Sequence, residues 1–395
     1  MLGQTDSAGA AGRPADLSLA NWDRAPNNRW AYQHIAEFLP TATVARGTPA
    51  PLPVAGTGLD LAALAFTDHR GERANAAAVL DASWTDGFLV LHRGRVVHED
   101  YRNGMGPGSV HLTQSVSKSV IAALAGILHH RGDFPLERTV AAYVPQFSAS
   151  AYRDVTMRQL LDMTSGVDFP EDVADPVSGI GLMDIAVGWK PAPPGTACPR
   201  GVRQLVASLR AVSRPHGEQF EYRSMETEVL GLCIEAAMRG TLPDLVSELI
   251  WRPMGAGEDA SFGLDPEGYA IADGGLSASL RDLGRFGLIY ARGGAANGRQ
   301  VVPEAWVTET RQGDAGRFPA RYRTHRPRGA YRNQFWIAEQ GRPVILALGV
   351  YGQMIYIDHE RDFVGVKLST WPHAIDHAMR IDMQALMGAL ANALG

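Results

Sequence analysis

Ser115-Val-Ser-Lys118 opens a stretch that is apolar on nearly every side when wound as a helix, running to about Arg131 with Gly132 as its stop. Residues three apart share a helix face, so the Ser115 hydroxyl and the Lys118 amine can touch. A helix N-terminus adds partial positive charge and free N–H groups, which favour an oxyanion and ease deprotonation of an amine. Burial acts the same way on a lysine whose ordinary pKa is about 10.4. The spacing therefore predicts a serine nucleophile beside a lysine of lowered pKa. The residue type supports this. Of the 37 Lys+Arg, three are lysines: Lys118, Lys190 and Lys367. Arginine does not give up its proton near neutral pH, whereas a buried lysine can.

Other catalytic strings are missing. The chain has no Gly-x-Ser-x-Gly elbow, His-Glu-x-x-His, Cys-x-x-Cys or Gly-Lys-Ser/Thr loop. Gly104-Met-Gly-Pro-Gly108 is a turn, and His129-His130 lies far in sequence from other ligands. No metal or cofactor is expected.

Ser115-Val-Ser-Lys118 resembles the first motif of the serine β-lactamase and penicillin-recognising superfamily. Tyr222-Arg-Ser224, after Gly217-Glu-Gln-Phe-Glu, resembles the second motif of its class C and esterase branch. Leu160-Leu-Asp-Met-Thr-Ser-Gly166 and Gly274-Gly-Leu-Ser-Ala-Ser-Leu-Arg-Asp-Leu-Gly-Arg-Phe286 resemble two further signatures of that branch, in the right order. Trp22, Asn28-Arg-Trp-Ala31, Gly349-Val-Tyr-Gly-Gln353 and Val366-Lys-Leu-Ser-Thr-Trp-Pro372 are similar to the 6-aminohexanoate-dimer (nylon-oligomer) hydrolases, over nearly the whole chain.

The resemblance implies a β-lactamase/DD-peptidase-like α+β fold (an α/β sandwich), with an antiparallel sheet flanked by helices and a helical lobe. It implies Ser115, Lys118 and Tyr222 as catalytic centre, with backbone N–H groups of Ser115 and Val350 holding the oxyanion. Ser224, Tyr351 and Gly352 fall on the second and third motifs and join the expected substrate-binding residues. Where penicillin-recognising proteins carry Lys-Thr-Gly, this chain has Tyr351-Gly352-Gln353. Losing that cation weakens the hold on a β-lactam carboxylate. β-Lactamase or D-amino-acid peptidase activity, or a silent binding module of the same fold, is the alternative reading.

Between Ser165 and Gly188 stand five acids, Asp168, Glu171, Asp172, Asp175 and Asp184, with no Lys, Arg or His. Asp184, placed before Gly188-Trp189, matches the aspartate that faces the substrate's ammonium in nylon-oligomer hydrolases, and Trp189 goes with it. An anionic rim favours a cationic substrate. Val173 stands where those enzymes have a substrate-facing Tyr, and Asp273 where they have Asn or His. Both changes favour ester cleavage over amide cleavage. A small-molecule ester or linear amide is thus the expected partner.

The elements that must position these groups come from both ends of the chain. Gly87–His92 and Arg95–Tyr101 flank Arg93-Gly94 as a hairpin. Asn333–Ala338, Val344–Val350, Met354–Asp358 and Phe363–Ser369 form strands, the last three an antiparallel meander. Ala374–Leu394 is a helix with apolar Ile381, Met383, Leu386, Met387 and Leu390. Between lie helices at Val155–Met163, Gly201–Leu209 and Met225–Ala237. The expected layout is a poorly ordered tail over 1–16, a sheet domain from 17–132 and 271–395, and a mainly helical domain over 133–270. Arg311, Arg317, Arg321, Arg323, Arg326, Arg328 and Arg332, with Phe318, Tyr322 and Tyr331 interleaved, are read as surface pairing or a subunit contact.

Composition agrees. With 395 residues, 45% hydrophobic, 20% charged and a net charge of −5, the chain suits a soluble globular protein. It has no general attraction for nucleic acid or acidic membranes. Two cysteines make no disulfide scaffold. The first residues lack the basic start and apolar core of a signal peptide, so a cytoplasmic protein is expected, a homodimer being compatible.

Overall fold

Along Thr85–His92, Leu89 and Leu91 are buried on one side of the sheet and Phe88 and Val90 on the other, which is why this strand is an uninterrupted apolar run. The computed structural model describes residues 12–55, 59–172, 175–195 and 197–395. Eleven of its strands concern us: β1 (Thr41–Val44), β2 (Thr85–His92), β3 (Arg95–Tyr101), β4 (Val110–Leu112), β5 (Ala260–Gly263), β6 (Leu276–Ser279), β7 (Ala330–Arg332), β8 (Phe335–Ile337), β9 (Val344–Gly349), β10 (Gln353–Asp358) and β11 (Phe363–Ser369). The main sheet has seven antiparallel strands in the order β7, β8, β9, β10, β11, β2, β3. A second sheet runs β1, β5, β6, β4. The turn between β2 and β3 is Arg93-Gly94, both with positive φ, as a two-residue hairpin loop needs.

Four helices matter here: α1 (Val116–His130), α2 (Met225–Met238), α3 (Leu280–Ala291) and α4 (His377–Leu394). α1 and α3 pack with Leu89, Leu91, Ile345, Ala347, Ile355 and Ile357 on one face of the main sheet. α4 covers the other face, where Met383, Leu386, Met387 and Leu390 meet Phe88, Val90, Leu346 and Tyr356. Two residues in α3 allow close approach: a Cβ on Gly287 would lie 2.5 Å from Val364 Cγ1, and one on Gly284 2.6 Å from Leu89 Cδ2. The antiparallel sheet flanked by helices is the architecture expected from the sequence.

Several expected boundaries move. α4 begins at His377, not Ala374, because the Asp376 carboxylate accepts from Met379 N–H at 2.9 Å as N-cap. Ile381 is 36% exposed, since two residues from Met383 is about 200° around the helix. The helix expected over 155–163 spans Met157–Leu161; a Thr156/Gln159 capping box starts it, and Met163 with φ 51° follows its end. The segment 133–270, expected as mainly helical, also carries β5, which pairs with β1 and β6. Residues 1–11 of the expected tail and Val173 lie outside the described residues.

Candidate active site

Ser115 is the N-cap of α1, thirteen of whose fifteen residues are buried. Its predecessor Gln114 has φ 50°, a left-handed conformation uncommon for a non-glycine residue, and donates to Tyr32 Oη at 2.8 Å. The kink presents the Ser115 hydroxyl to Lys118, whose Nζ donates to Ser115 Oγ at 3.1 Å. The same ammonium donates to Asp273 O at 2.9 Å and to Asp273 Oδ2 at 3.0 Å, and lies 5.4 Å from the centre of the Tyr222 ring. Ser115, Lys118 and Tyr222 are therefore together.

The electrostatics correct one expectation. Burial acts to lower the Lys118 amine, but the carboxylate of Asp273, with Tyr222 and Glu171, outweighs it and holds the amine above its ordinary value. A lysine of lowered pKa was expected because α1 alone shows no acid; Asp273 arrives from 155 residues away. Tyr222 is raised by burial, against a lowering by the Lys118 charge and a hydrogen bond with Ser115.

Tyr222 sits in an aromatic seat. Trp336 stacks on it at 5.5 Å and 17°, and Tyr331 meets it edge-on at 6.3 Å. Its N–H donates to Tyr322 Oη at 3.1 Å. Phe220, Phe318 and Tyr331 complete the cluster. The Arg/aromatic run read as surface pairing or a subunit contact divides: Arg321 and Arg328 are exposed and pair with Glu221 at 2.6 Å and Glu339 at 2.8 Å, while Arg332 turns inward to Asp162 at 2.7 Å and to Glu309. Asp162 belongs to the Leu-Leu-Asp-Met-Thr-Ser-Gly motif, and Gln334 N–H donates to Leu161 O at 3.0 Å, fixing the turn that presents Trp336.

Val350 follows β9 directly. A Cβ on Gly349 would lie 2.7 Å from Thr113 O and 3.1 Å from Gln114 Cβ, so only glycine lets the end of β9 lie against the residues before Ser115. Tyr351 N–H is taken by Ala374 O at 2.8 Å, and its φ is 60°. The N–H groups of Ser115 and Val350 enter no turn or cap bond among the described residues. Gly352 has φ 92° with Trp371 against it.

The remaining substrate candidates divide. Ser224, N-cap of α2, gives its N–H to Glu171. Burial pushes the Glu171 carboxyl up to about 7 against the lowering charge of Lys118. Sequence reasoning placed Glu171 only among five acids; no spacing marks it. Asp184 is pushed up to about 7 by burial and by the charges of Asp23 and Asp273. Trp189 packs edge-on against Trp22 at 5.4 Å, and a Cβ on Gly274 would touch its ring at 3.4 Å. Glu228, unmarked by any motif, accepts from Asp273 N–H at 2.8 Å and is raised well above the carboxylate range by burial and Asp273. No group of three or more metal-ligating side chains occurs among the described residues. No helix among them is long and apolar enough to cross a membrane.

Comparison with known proteins gives the family and the fold. A family model described as Beta-lactamase matches residues 73–386. The chain is 32% identical over 390 residues to a 6-aminohexanoate-dimer hydrolase of Paenarthrobacter ureafaciens, covering 96% of each. A Bacillus anthracis protein assigned as a 6-aminohexanoate-dimer hydrolase superimposes with TM-score 0.87 and 25% identity, over 96% of this chain and 97% of that one. A family VIII carboxylesterase shares the fold at TM-score 0.56 and 15% identity, over 78% and 95%.

Proposed function

The chain belongs to the Beta-lactamase family of serine hydrolases, and from that premise we propose that it cleaves small carboxylic esters, and linear amides such as the 6-aminohexanoate dimer, through an acyl-enzyme on Ser115. The observation that carries this reading is the Lys118 ammonium, held between Ser115 Oγ and Asp273 Oδ2 and beside the Tyr222 ring.

We take Tyr222 as the base, because the Asp273 carboxylate favours the ammonium form of Lys118. Its phenolate, formed by loss of the phenolic proton to solvent and stabilised by the adjacent ammonium, takes the Ser115 proton as Oγ attacks the carbonyl carbon. The N–H groups of Ser115 and Val350 donate to the carbonyl oxygen as it gains charge, an effect worth about 10²–10³ in kcat per donor. Tyr222 then returns the proton to the departing alcohol or amine. Water repeats the sequence on the acyl-enzyme and frees the acid. Asp184 supplies a carboxylate for an ammonium on the acyl half of the substrate.

β-Lactamase activity is the second reading, and the Val350-Tyr351-Gly352 turn weighs against it, since no lysine stands there for a β-lactam carboxylate. Initial rates on a short p-nitrophenyl ester and on the linear 6-aminohexanoate dimer test the proposal. Fast cleavage of both supports the full reading, and ester cleavage alone restricts it to a carboxylesterase. Failure to cleave either, with no labelling of Ser115 by a fluorophosphonate, would overturn it in favour of a silent binding module.

A further inference from the structure

Arg326 is 8% exposed, and its buried Nε and Nη2 have no hydrogen-bond partner among the described residues. Its neighbours in sequence are placed otherwise: Arg321 pairs with Glu221, Arg328 with Glu339 and Arg332 with Asp162. The guanidinium lies 4.6 Å over the Trp336 ring, and Trp336 stacks in turn on Tyr222. Arg380, in the first turn of α4, acts electrostatically on both Arg326 and Tyr222 and is in no ion pair among the described residues. His325 and His377 stack at 4.2 Å and 13°, tying the loop that carries Arg326 to the turn that carries Arg380.

Two guanidinium groups brought together without a bonded carboxylate repel each other and lose hydration. Burial and Arg380 push Arg326 down to about 9, and burial lowers Arg380 against the raising charges of Tyr222 and Asp376. Asp376 offers limited relief, since its Oδ1 accepts from Met379 N–H. The adjoining His377 is itself lowered by burial and by the nearby His325 ring, Arg380 and Arg326. Such a place lacks an anion with two oxygens, which guanidinium donors hold in a fork.

We propose that Arg326 and Arg380 form an anion subsite on the Tyr222–Trp336 side of the active site, which takes a carboxylate carried by the leaving-group half of the substrate. The proposal rests on the hydrolase reading, in which Tyr222 protonates the leaving group, and it assigns residues to the leaving half of that substrate. Asp184 lies among Asp23, Asp273, Lys190 and Glu171, whereas the arginines lie behind Trp336, so the site has an acidic and a basic pole with different surroundings. The linear dimer named above carries both charges, and what is assigned here is the pair of arginines that would hold its leaving-half carboxylate.

The test compares kcat/KM on 6-acetoxyhexanoate and on hexyl acetate, two esters that differ by one carboxylate on the leaving alcohol. The wild type is expected to prefer the charged ester by about tenfold, the size of one charge-assisted contact. Arg380→Gln, at a half-buried position, should bring that ratio close to one through KM; Arg326→Gln should do the same, and Arg380→Lys should restore part of it. Calorimetric titration of Ser115→Ala protein with hexanoate and with inorganic phosphate reads the subsite without turnover. Hexanoate binding that disappears in the Ser115→Ala/Arg380→Gln protein supports the subsite even if neither ester is cleaved, in which case the hydrolase reading alone fails. Ester cleavage with a ratio unmoved by either arginine substitution overturns the subsite alone. Phosphate binding without hexanoate binding or an ester preference would make it a free-anion site and overturn the substrate assignment.

Discussion

Lys118 Nζ lies 3.0 Å from Asp273 Oδ2 and 3.1 Å from Ser115 Oγ, so one ammonium spans the acid that holds its proton and the hydroxyl that must lose one. Asp273 is seated in turn by Glu228, which accepts its N–H at 2.8 Å. The pairing makes the resting site cationic at Lys118 and moves the burden of proton acceptance to Tyr222, whose own proton is held above the usual phenol range by burial.

The ester pH profile follows from these directions. With both members of the pair raised, the base form gains as pH increases, so kcat/KM should climb through the alkaline range rather than level off near pH 7. Asp273→Asn removes a charge that raises Tyr222, the base, so its rising limb should move to lower pH. A pH–rate series on the two proteins decides it; superimposable profiles would contradict the role given to Asp273.

Lys118→Arg keeps the positive charge but not the compact ammonium that reaches both Ser115 and Asp273. Turnover should fall by about 10²–10⁴, as for a lost acid–base group. Ser115→Ala should abolish acyl-enzyme formation, read as the loss of a covalent mass adduct with a slow ester. Normal turnover in either variant would be incompatible with this site.

Asp184 titrates near neutrality. Burial and Asp23 raise its carboxyl to about 7, so it is neutral below that pH and anionic above it. Inhibition of ester cleavage by the 6-aminohexanoate dimer should therefore tighten by about tenfold between pH 6 and 8, the change in ionised fraction across a pKa of 7. Asp184→Asn should flatten the dependence. A pH-independent inhibition constant in the wild type would remove Asp184 from substrate binding.

Lys367 is buried in β11, donating to Ser83 O at 3.0 Å and to Ser369 Oγ, and burial lowers its amine to about 7. Unfolded, the amine returns to about 10.4, so between these values the unfolded chain binds the extra proton and stability rises with pH. The difference in urea midpoint between wild type and Lys367→Met should shift towards the wild type from pH 7 to 9.5, by up to about 1.4 kcal/mol per pH unit in stability. A constant difference would mean that the amine is not depressed in the native state.

Much of this was legible along the chain. The apolar run after Ser115, the short apolar runs of β2 and β9–β11, and the Arg93-Gly94 turn are local patterns, and local backbone chemistry is enough to produce them. Boundaries moved where side chains compete for the ends, as Asp376 and Thr156 do at their caps. Ile381, apolar like its neighbours in α4, is 36% exposed because an apolar residue near a helix N-terminus need not fall on its buried face.

The sequence by itself determined which residues could do the chemistry: a serine and lysine one turn apart at a helix start, and a tyrosine in a motif of known order. Tertiary structure decided their charge states and their surroundings. Whether Lys118 is raised or lowered depends on Asp273, which is distant along the chain and 3.0 Å away in space. Whether Arg332 faces solvent or turns inward beside the Tyr222 cluster depends on Asp162 reaching it from another segment. Coulomb interactions and desolvation depend on spatial separation and burial, quantities that neighbouring residue types do not specify.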